Sequence, residues 1–273
     1  MLIPFSIDQE RCIQCGECAA DCPSGIIVLE DYPTLKDPET CIRCQHCLAV
    51  CPTGALSILG VDPDKSALLD GRLPSPEQMA TLIKGRRSVR RYLPEELAPE
   101  LIDELVNIAC HAPTGCNAQD VRFTVVRTRA ALDKLRLEML AGLEELEKSG
   151  RLPEDLVGQF MGWTLKSWRE EGKEVMFRGA PHLLVATAPK EAPCPHQDTY
   201  IALATFELMA AAKGVGAVWD GIFMMALALM PDFSQRLGIP LDHVVGFAMA
   251  FGKPAVRYAR TVQRGPAQVH YLD

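Results

Sequence analysis

Apolar positions along the chain change their spacing several times, and each change marks an element. Up to residue 60 they come in short bursts, Ile26-Ile27-Val28-Leu29 and Ala55-Leu56-Ser57-Ile58, each following a cysteine-rich loop and a Ser-Gly or Thr-Gly pair. Bursts that short between turn residues read as strands, and the two halves read as a short internal repeat. Residues 61–74 carry prolines, a glycine and charges with no period, the pattern of a linker. Ser75, Pro76 and Gln78 then form a capping-box signature ahead of Met79, Leu82 and Ile83, which predicts a helix closed by Gly85. Leu101, Ile102, Leu105, Val106 and Ala109 recur at helical spacing between Pro99 and Pro113. Val121 to Val126 is β-branched and reads as a strand; 129–148 and 154–177 read as two helices split by Ser149-Gly150 and Pro153. Pro181 to Ala188 predicts a buried strand. Asp198 is expected to cap a long apolar helix running to Lys213, followed by a strand at 215–219, a helix at 223–229 and a strand at 244–251. Strands and helices mix without strict alternation, which is the pattern of an α+β protein.

Composition adds bounds to this picture. The chain has 273 residues, long for one domain, so a small domain of residues 1–60 and a larger one of 75–273 are expected. Apolar residues make up 48% and charged residues 23%, enough for a sizeable core. The net charge of −7 comes without a basic stripe, which excludes nucleic acid as the main partner. Met1-Leu2-Ile3-Pro4-Phe5-Ser6 lacks the charged and apolar regions of a secretory leader, and the apolar run Ile222–Met230 is too short to span a bilayer. A cytoplasmic protein without a membrane partner is expected. In that compartment thiols stay reduced, and patterned cysteines bind metal more often than they form disulfides.

Eight of the eleven cysteines fall in two copies of one pattern, Cys12, Cys15, Cys18, Cys22-Pro23 and Cys41, Cys44, Cys47, Cys51-Pro52. Thiolates suit iron–sulfur chemistry, and tight loops turn backbone N–H groups toward the sulfurs. Zinc is the alternative, but zinc sites usually take four ligands as two separated pairs, which runs of four ending in Cys-Pro fit poorly. The stretch resembles the bacterial ferredoxins with two 4Fe-4S clusters, in which the fourth cysteine of each run ligates the other cluster. The resemblance assigns one cluster to Cys12, Cys15, Cys18 and Cys51 and the other to Cys41, Cys44, Cys47 and Cys22. Cys110, Cys116 and Cys194 share no spacing and read as packing or loop residues, with Cys116 kept open by its position.

Residues 75–273 resemble the flavin-dependent nitroreductase family in a series of segments in order. These are Arg86-Arg87-Ser88-Val89-Arg90, Pro113-Thr114-Gly115-Cys116-Asn117-Ala118-Gln119, Gly179-Ala180-Pro181, Asp198, Gly214 to Gly221, and Phe251-Gly252-Lys253-Pro254 with Arg260 and Arg264 beyond. The resemblance implies an α-β-α domain around a mainly antiparallel sheet, an FMN cofactor, and a homodimer whose two subunits build each site. It places Arg86, Arg87, Ser88 and Arg90 on FMN, and Arg260 or Arg264 on its phosphate. Physically, a phosphate calls for converging guanidinium forks and hydroxyl donors, and Arg86, Arg87, Arg90 and Arg91 crowd six positions of an acidic chain. The resemblance also brings the backbone N–H groups of Asp220 and Gly221 to the flavin N5 edge, and Pro113, Thr114, Gly115 and Asn117 from the partner subunit. Gly115 or Cys116 stands where many relatives carry a hydroxyl, which puts the side-chain contacts there in doubt. Gly214-x-Gly216 is not a dinucleotide fingerprint, because Gly221 comes five residues after Gly216 and the segment follows a helix.

Residues 129–178 lie where relatives build variable helices over the active site, and Phe160, Trp163, Trp168 and Phe177 there are either stacking residues of a lid or core of a helical hairpin. His182 reads as a core residue; His196 and Tyr200 are candidate proton donors, and no catalytic side chain is singled out. The whole reads as an FMN-dependent oxidoreductase. A low-potential external donor feeds it through two 4Fe-4S clusters, and it reduces a small flat substrate such as a nitro compound, quinone or activated alkene. Two alternatives stand beside it: NAD(P)H reduction of the flavin with export through the clusters, and a non-enzymatic carrier or redox sensor.

Overall fold

The computed structural model describes residues 3–272; Met1 and Leu2, part of the stretch read above for a leader, and Asp273 lie outside them. The chain forms two compact units. One runs up to Pro74 and takes in Cys116–Ala118; the other comprises Ser75–Gly115 and the chain from Gln119 onward.

In the first unit β1 (Phe5–Ile7) pairs antiparallel with β4 (Leu56–Ile58), and β2 (Ile27–Leu29) pairs with β3 (Pro33–Leu35). The two strands expected from the repeat therefore do not pair with each other. Each takes a three-residue partner too short to show a period. Two four-residue helices, α1 (Glu17–Ala20) and α2 (His46–Ala49), carry Cys18 and Cys47 inward, where they join Ile26, Ile27, Leu48, Leu56 and Ile58 in the core. The expected linker begins as part of this unit. A 3-10 turn at Pro63–Lys65 presents Asp64 to the Arg11 guanidinium at 2.8 and 3.0 Å, while Arg11 Nε donates to the Thr53 carbonyl at 3.0 Å.

The second unit is three-layered. Its sheet has the order β5-β6-β8-β7, with β5 (Arg122–Val126), β6 (His182–Pro189), β7 (Gly216–Trp219) and β8 (His243–Gly252), and every pairing is antiparallel. Alternate side chains leave the two central strands for opposite cores. Leu183, Val185, Ala248 and Ala250 meet α5 (Arg129–Lys148), α6 (Leu156–Glu171), α8 (Gly221–Leu229) and α9 (Asp232–Arg236). Leu184, Ala186, Met249 and Phe251 meet α4 (Pro99–Ala109) and α7 (Pro195–Ala212). A strand covered on both faces reads as a continuous apolar run, which is why 181–188 shows no alternation. This is the α+β, mainly antiparallel arrangement expected.

Local signals decide most boundaries. At α3 (Pro76–Gly85) Ser75 Oγ accepts from the Gln78 N–H at 3.2 Å and Gln78 Oε1 accepts from the Ser75 N–H at 3.0 Å, the capping box read from the sequence. Its expected apolar face, however, stays uncovered, with Met79 and Ile83 at 40% and 51% exposure. The second hairpin helix stops at Glu171 rather than 177, because Gly172 turns left-handed (φ 59°) and Glu174 then accepts from the N–H groups of Phe177 and Gly179 at 2.7 Å each. Asp198 does not cap α7. The helix begins three residues earlier at Pro195, which leaves Asp198 in its first turn with its carboxylate free for another contact.

Gly246 lies where β8 passes α7, and a Cβ there would sit 1.9 Å from Thr199 Oγ1 and 2.4 Å from Thr199 Cβ. Thr199 is fully buried and cannot withdraw. Gly246→Ala is therefore expected to destabilise this unit by about 1–3 kcal/mol through overpacking. A thermal melt should show a drop of several degrees; an unchanged midpoint would contradict this packing.

Candidate iron–sulfur and flavin sites

The two cysteine runs fold alike, and the fourth cysteine of each borders the hollow of the other. One hollow is bordered by Cys12, Cys15, Cys18 and Cys51, the other by Cys41, Cys44, Cys47 and Cys22. All eight cysteines are free thiols. The loops share an unusual backbone: Gln14 and Gly16 in the first and Arg43 and Gln45 in the second all have positive φ, between 56° and 78°. For three of these residues a side chain makes that conformation costly, about 1–2 kcal/mol each. Left-handed residues interleaved with ordinary ones turn successive N–H groups into a concavity suited to anions. Arg43 N–H donates to Cys41 Sγ at 3.4 Å and Ala55 N–H to Cys51 Sγ at 3.2 Å. His46 Nδ1 lies 3.1 Å from Cys44 Sγ. Burial pushes the Cys47 thiol up to about 11 and raises that of Cys18 as well. At Cys51 burial acts in the same direction, but the Ala55 N–H and the Thr53 hydroxyl outweigh it and hold the thiol below its ordinary value. Thiol donors in two separate sets of four, each under N–H groups, fit an anionic iron–sulfur cluster.

In the second unit a cavity of about 410 Å³ is bordered by Arg86, Arg87, Glu207, Gly216, Arg257 and Tyr258. Arg86 follows the end of α3, and Nη1 donates to Glu207 Oε1 at 3.0 Å. Glu207, only 5% exposed on α7, also accepts from Trp219 Nε1 at 3.1 Å. This one carboxylate thus holds an arginine of the first basic segment and the tryptophan before Asp220-Gly221. The Ser88 segment is tied to β7 by a parallel bridge to Ala217 and by the Val89 N–H bond to the Ala217 carbonyl at 3.0 Å. Gly216 allows that approach, since a Cβ there would come within 2.6 Å of Val89 Cγ2. Arg90 is exposed, with Nη1 donating to the Ser88 carbonyl at 3.3 Å. Arg260 and Arg264 are exposed and do not border the cavity; Arg257 does.

The Asp220-Gly221 pair departs from expectation in one respect. Asp220 N–H is spent on the Ala248 carbonyl at 2.9 Å, so it is not available to a flavin. Gly221 opens α8, and first-turn N–H groups have no partner inside their helix. The Gly221 N–H is one of these, with open space where a Cβ would stand. The Asp220 side chain caps the helix through Oδ1, which accepts from the Phe223 N–H at 3.0 Å, while Oδ2 is buried without a partner. Burial, with the Glu174 charge adding to it, pushes the Asp220 carboxyl up to about 8.

In the 113–119 loop, Thr114 Oγ1 accepts from the Gln119 N–H at 3.0 Å, and the Gly115 N–H donates to both oxygens of buried Asp198 at 3.0 and 3.2 Å. Cys116 is exposed; Cys116 and Asn117 are both left-handed, with φ 52° and 53°. Asn117 Nδ2 donates to the Ile42 carbonyl at 2.8 Å, within the first unit. The four hairpin aromatics separate: Phe177 is 1% exposed, Trp168 is half-buried under Arg136, and Phe160 and Trp163 are 37% and 41% exposed. His182 is fully buried and its Nε2 accepts from the Leu97 N–H at 2.8 Å, a core histidine as read. His196 is exposed; Tyr200 packs near Trp219 and Phe247. Glu207 and Arg257 were missed in the sequence. A lone acid inside the apolar helix run Ile201–Ala212 was the available signal for Glu207; Arg257 had none beyond lying three residues past Pro254.

Residues 83–253 match the nitroreductase family, and residues 11–55 match a 4Fe-4S dicluster domain. The chain belongs to the nitroreductase family, and it is an oxidoreductase with a 4Fe-4S domain fused ahead of the family domain. It is 30% identical over 137 residues to the iodotyrosine deiodinase of Thermotoga neapolitana, an alignment covering 50% of this chain and 70% of that protein. The nitroreductase with bound FMN from Bacteroides fragilis superposes with a TM-score of 0.56 at 19% identity, over 71% of this chain and 99% of that one. The nitroreductase with bound FMN from Desulfitobacterium hafniense gives 0.55 at 24% identity, over 71% and 98%. At these identities the two structures speak for the fold. Among the described residues no helix is long and apolar enough to cross a membrane.

The unfolded Asp220 carboxyl ionises around 3.8 and the folded one around 8, so between those values the folded protein holds the extra proton. Stability should then fall as pH rises through that window, by up to about 1.4 kcal/mol per pH unit. Asp220→Asn keeps an acceptor for Phe223 and carries no charge. Its melting temperature is expected to exceed the parent's at pH 7.5 and to converge with it near pH 4; parallel pH profiles would refute the assignment.

Proposed function

We propose that this protein is an FMN-dependent oxidoreductase fed by two 4Fe-4S clusters, one on Cys12, Cys15, Cys18 and Cys51 and one on Cys22, Cys41, Cys44 and Cys47. The observation that carries the reading is the crossing of the two cysteine runs into two separate sets of four, in one chain with a nitroreductase fold. Electrons from an external low-potential donor enter through these cysteine-held sites and leave to a small, flat organic acceptor. FMN, when bound, supplies the conversion between one- and two-electron chemistry.

The residues divide the work. Arg86, steadied by Glu207, and Arg87 and Arg257 offer guanidinium donors to the phosphate, with Ser88 and Arg90 beside them. Gly221 offers a backbone donor to the flavin ring. Pro113, Thr114 and Gly115 form a loop whose small residues permit close backbone approach. Exposed Trp163, with the Arg178 guanidinium 5.7 Å from its ring centre, and Phe160 offer flat surface to an acceptor, in keeping with residues 129–178 acting as a lid. The acceptor class includes nitro compounds, quinones and activated alkenes, and the deiodinase relative adds halogenated aromatics. A homodimer accounts for the exposed apolar side chains of Met79, Ile83, Tyr271 and Leu272. Reduced thiol chemistry favours the cytoplasm.

Anaerobically purified protein is expected to show flavin bands over a broad iron–sulfur shoulder and to contain eight irons per chain. A shoulder without flavin bands would defeat the reading. Reduced ferredoxin should bleach the flavin faster than NADPH does; the reverse order would favour electron export through the clusters instead. Arg86→Ala and Arg257→Ala are each expected to weaken FMN retention about tenfold or more, as loss of a charge-assisted bond of about 1.5–3 kcal/mol requires. Equilibrium dialysis with FMN checks this, and parent-like retention in both variants would remove the arginines from the site.

A further inference from the structure

Asn117 lies within the first unit, beside the second cysteine run. Its Nδ2 donates to the Ile42 carbonyl at 2.8 Å, and the N–H of the same peptide group, on Arg43, donates to Cys41 Sγ at 3.4 Å. One peptide plane therefore joins a side-chain amide to a cluster ligand, as Nδ2–H···O=C–N–H···S. Hydrogen bonds in series polarise one another, so a donor at the carbonyl strengthens the donor at the sulfur. Hydrogen bonds to cluster sulfurs are among the terms that set a cluster's reduction potential, because they favour the more negative, reduced state.

The backbone holds this chain in place at a cost. Arg43, Cys116 and Asn117 are all left-handed, at φ 56°, 52° and 53°, and none is glycine. Non-glycine residues stay in that region only where the surroundings over-determine it. The first cysteine run has no counterpart. Its matching peptide is Ile13–Gln14, and among the described residues no side chain donates to the Ile13 carbonyl; Gln14 Nε2 turns instead to the Asp31 carbonyl at 2.7 Å.

We propose that Asn117 is a positioning residue for the cluster on Cys22, Cys41, Cys44 and Cys47, raising its reduction potential through the Ile42–Arg43 peptide. The proposal rests on the two-cluster reading above. Its consequence is that electrons entering the unit favour this cluster over the one on Cys12, Cys15, Cys18 and Cys51 by more than the cysteine frameworks alone would dictate. The step is a reversible one-electron reduction, with the external low-potential donor as reductant.

Asn117→Leu keeps the side-chain volume and removes the donor. Anaerobic redox titration of the full-length, cluster-loaded variant, followed by low-temperature electron paramagnetic resonance, reads the two reduced clusters. One cluster is expected to become harder to reduce, its oxidised-to-reduced ratio at fixed potential rising about tenfold, or about 59 mV for a one-electron couple. The other should keep its parental potential. Two unchanged potentials, or equal shifts in both, overturn the proposal. Should Asn117→Leu lose iron, Asn117→Ala decides by the same criteria, since it also removes the donor and adds no charge that would shift a potential by itself. A parent protein with only one cluster would defeat the two-cluster reading instead, and iron analysis separates that failure from this one.

Discussion

Seven successive buried side chains on β6 are the constraint from which the larger unit follows. A strand with no solvent side needs cover on both faces, and its backbone groups need partners on both edges. Helices α5, α6, α8 and α9 supply one cover, α4 and α7 the other, and β5 and β8 take the edges. This sandwich fixes α7 rigidly against the sheet. Two acids on that helix then carry local order outward. Asp198 in its first turn grips the Gly115 N–H, and Glu207 further along holds Arg86 and Trp219. The residues on loops and helix ends are thus positioned by a mostly apolar core, whose buried polar members include His182, Thr187 and Thr199.

The smaller unit solves a different problem. It has only a handful of buried apolar residues, and two of its core members are themselves cysteines. A core that small supplies little stability, and domains of this size usually need disulfides or metal. Here the thiols are free, and left-handed residues in the cysteine loops store strain that a bound anion would offset by drawing on their N–H groups. The cysteine loops thus hold an anion-suited geometry that the small core alone does not account for.

Legibility followed the strength of each local signal. The two cysteine runs are legible from their spacing, whereas their crossed grouping comes only from the resemblance to two-cluster ferredoxins; Ser75-Pro76-x-Gln78 is legible because a capping box is a local hydrogen-bond pattern. The buried strand at 181–188 was readable from its apolar run. Failures fell where tertiary contacts decide. Phe5–Ile7 and Pro33–Leu35 are too short for a period. Asp198 looks like a helix cap and is instead a loop anchor, because Pro195 starts the helix earlier. Asn117 was assigned by resemblance alone, and its partner, a backbone carbonyl 75 positions away, leaves no trace in the sequence. Glu207 was visible as a lone acid in an apolar run, yet only the fold shows which arginine it meets.

Two buried acids, one bordering the arginine-lined cavity and one at the start of α8, look out of place until their surroundings are compared. Glu207 is paired with Arg86 at 3.0 Å, so that pair adds little net charge and the remaining Arg87 and Arg257 give the cavity a positive surplus. Among the described residues Asp220 makes no ion pair, and burial, outweighing the Arg178 charge, pushes its carboxyl up to about 8, so it stays mostly protonated at neutral pH and caps α8 as a neutral group. A neutral cap leaves the positive end of that helix uncancelled, and the Gly221 N–H projects from that end. Pairing at one acid and protonation at the other therefore reach the same result, a cavity and a helix start that both present net positive character to a bound anion.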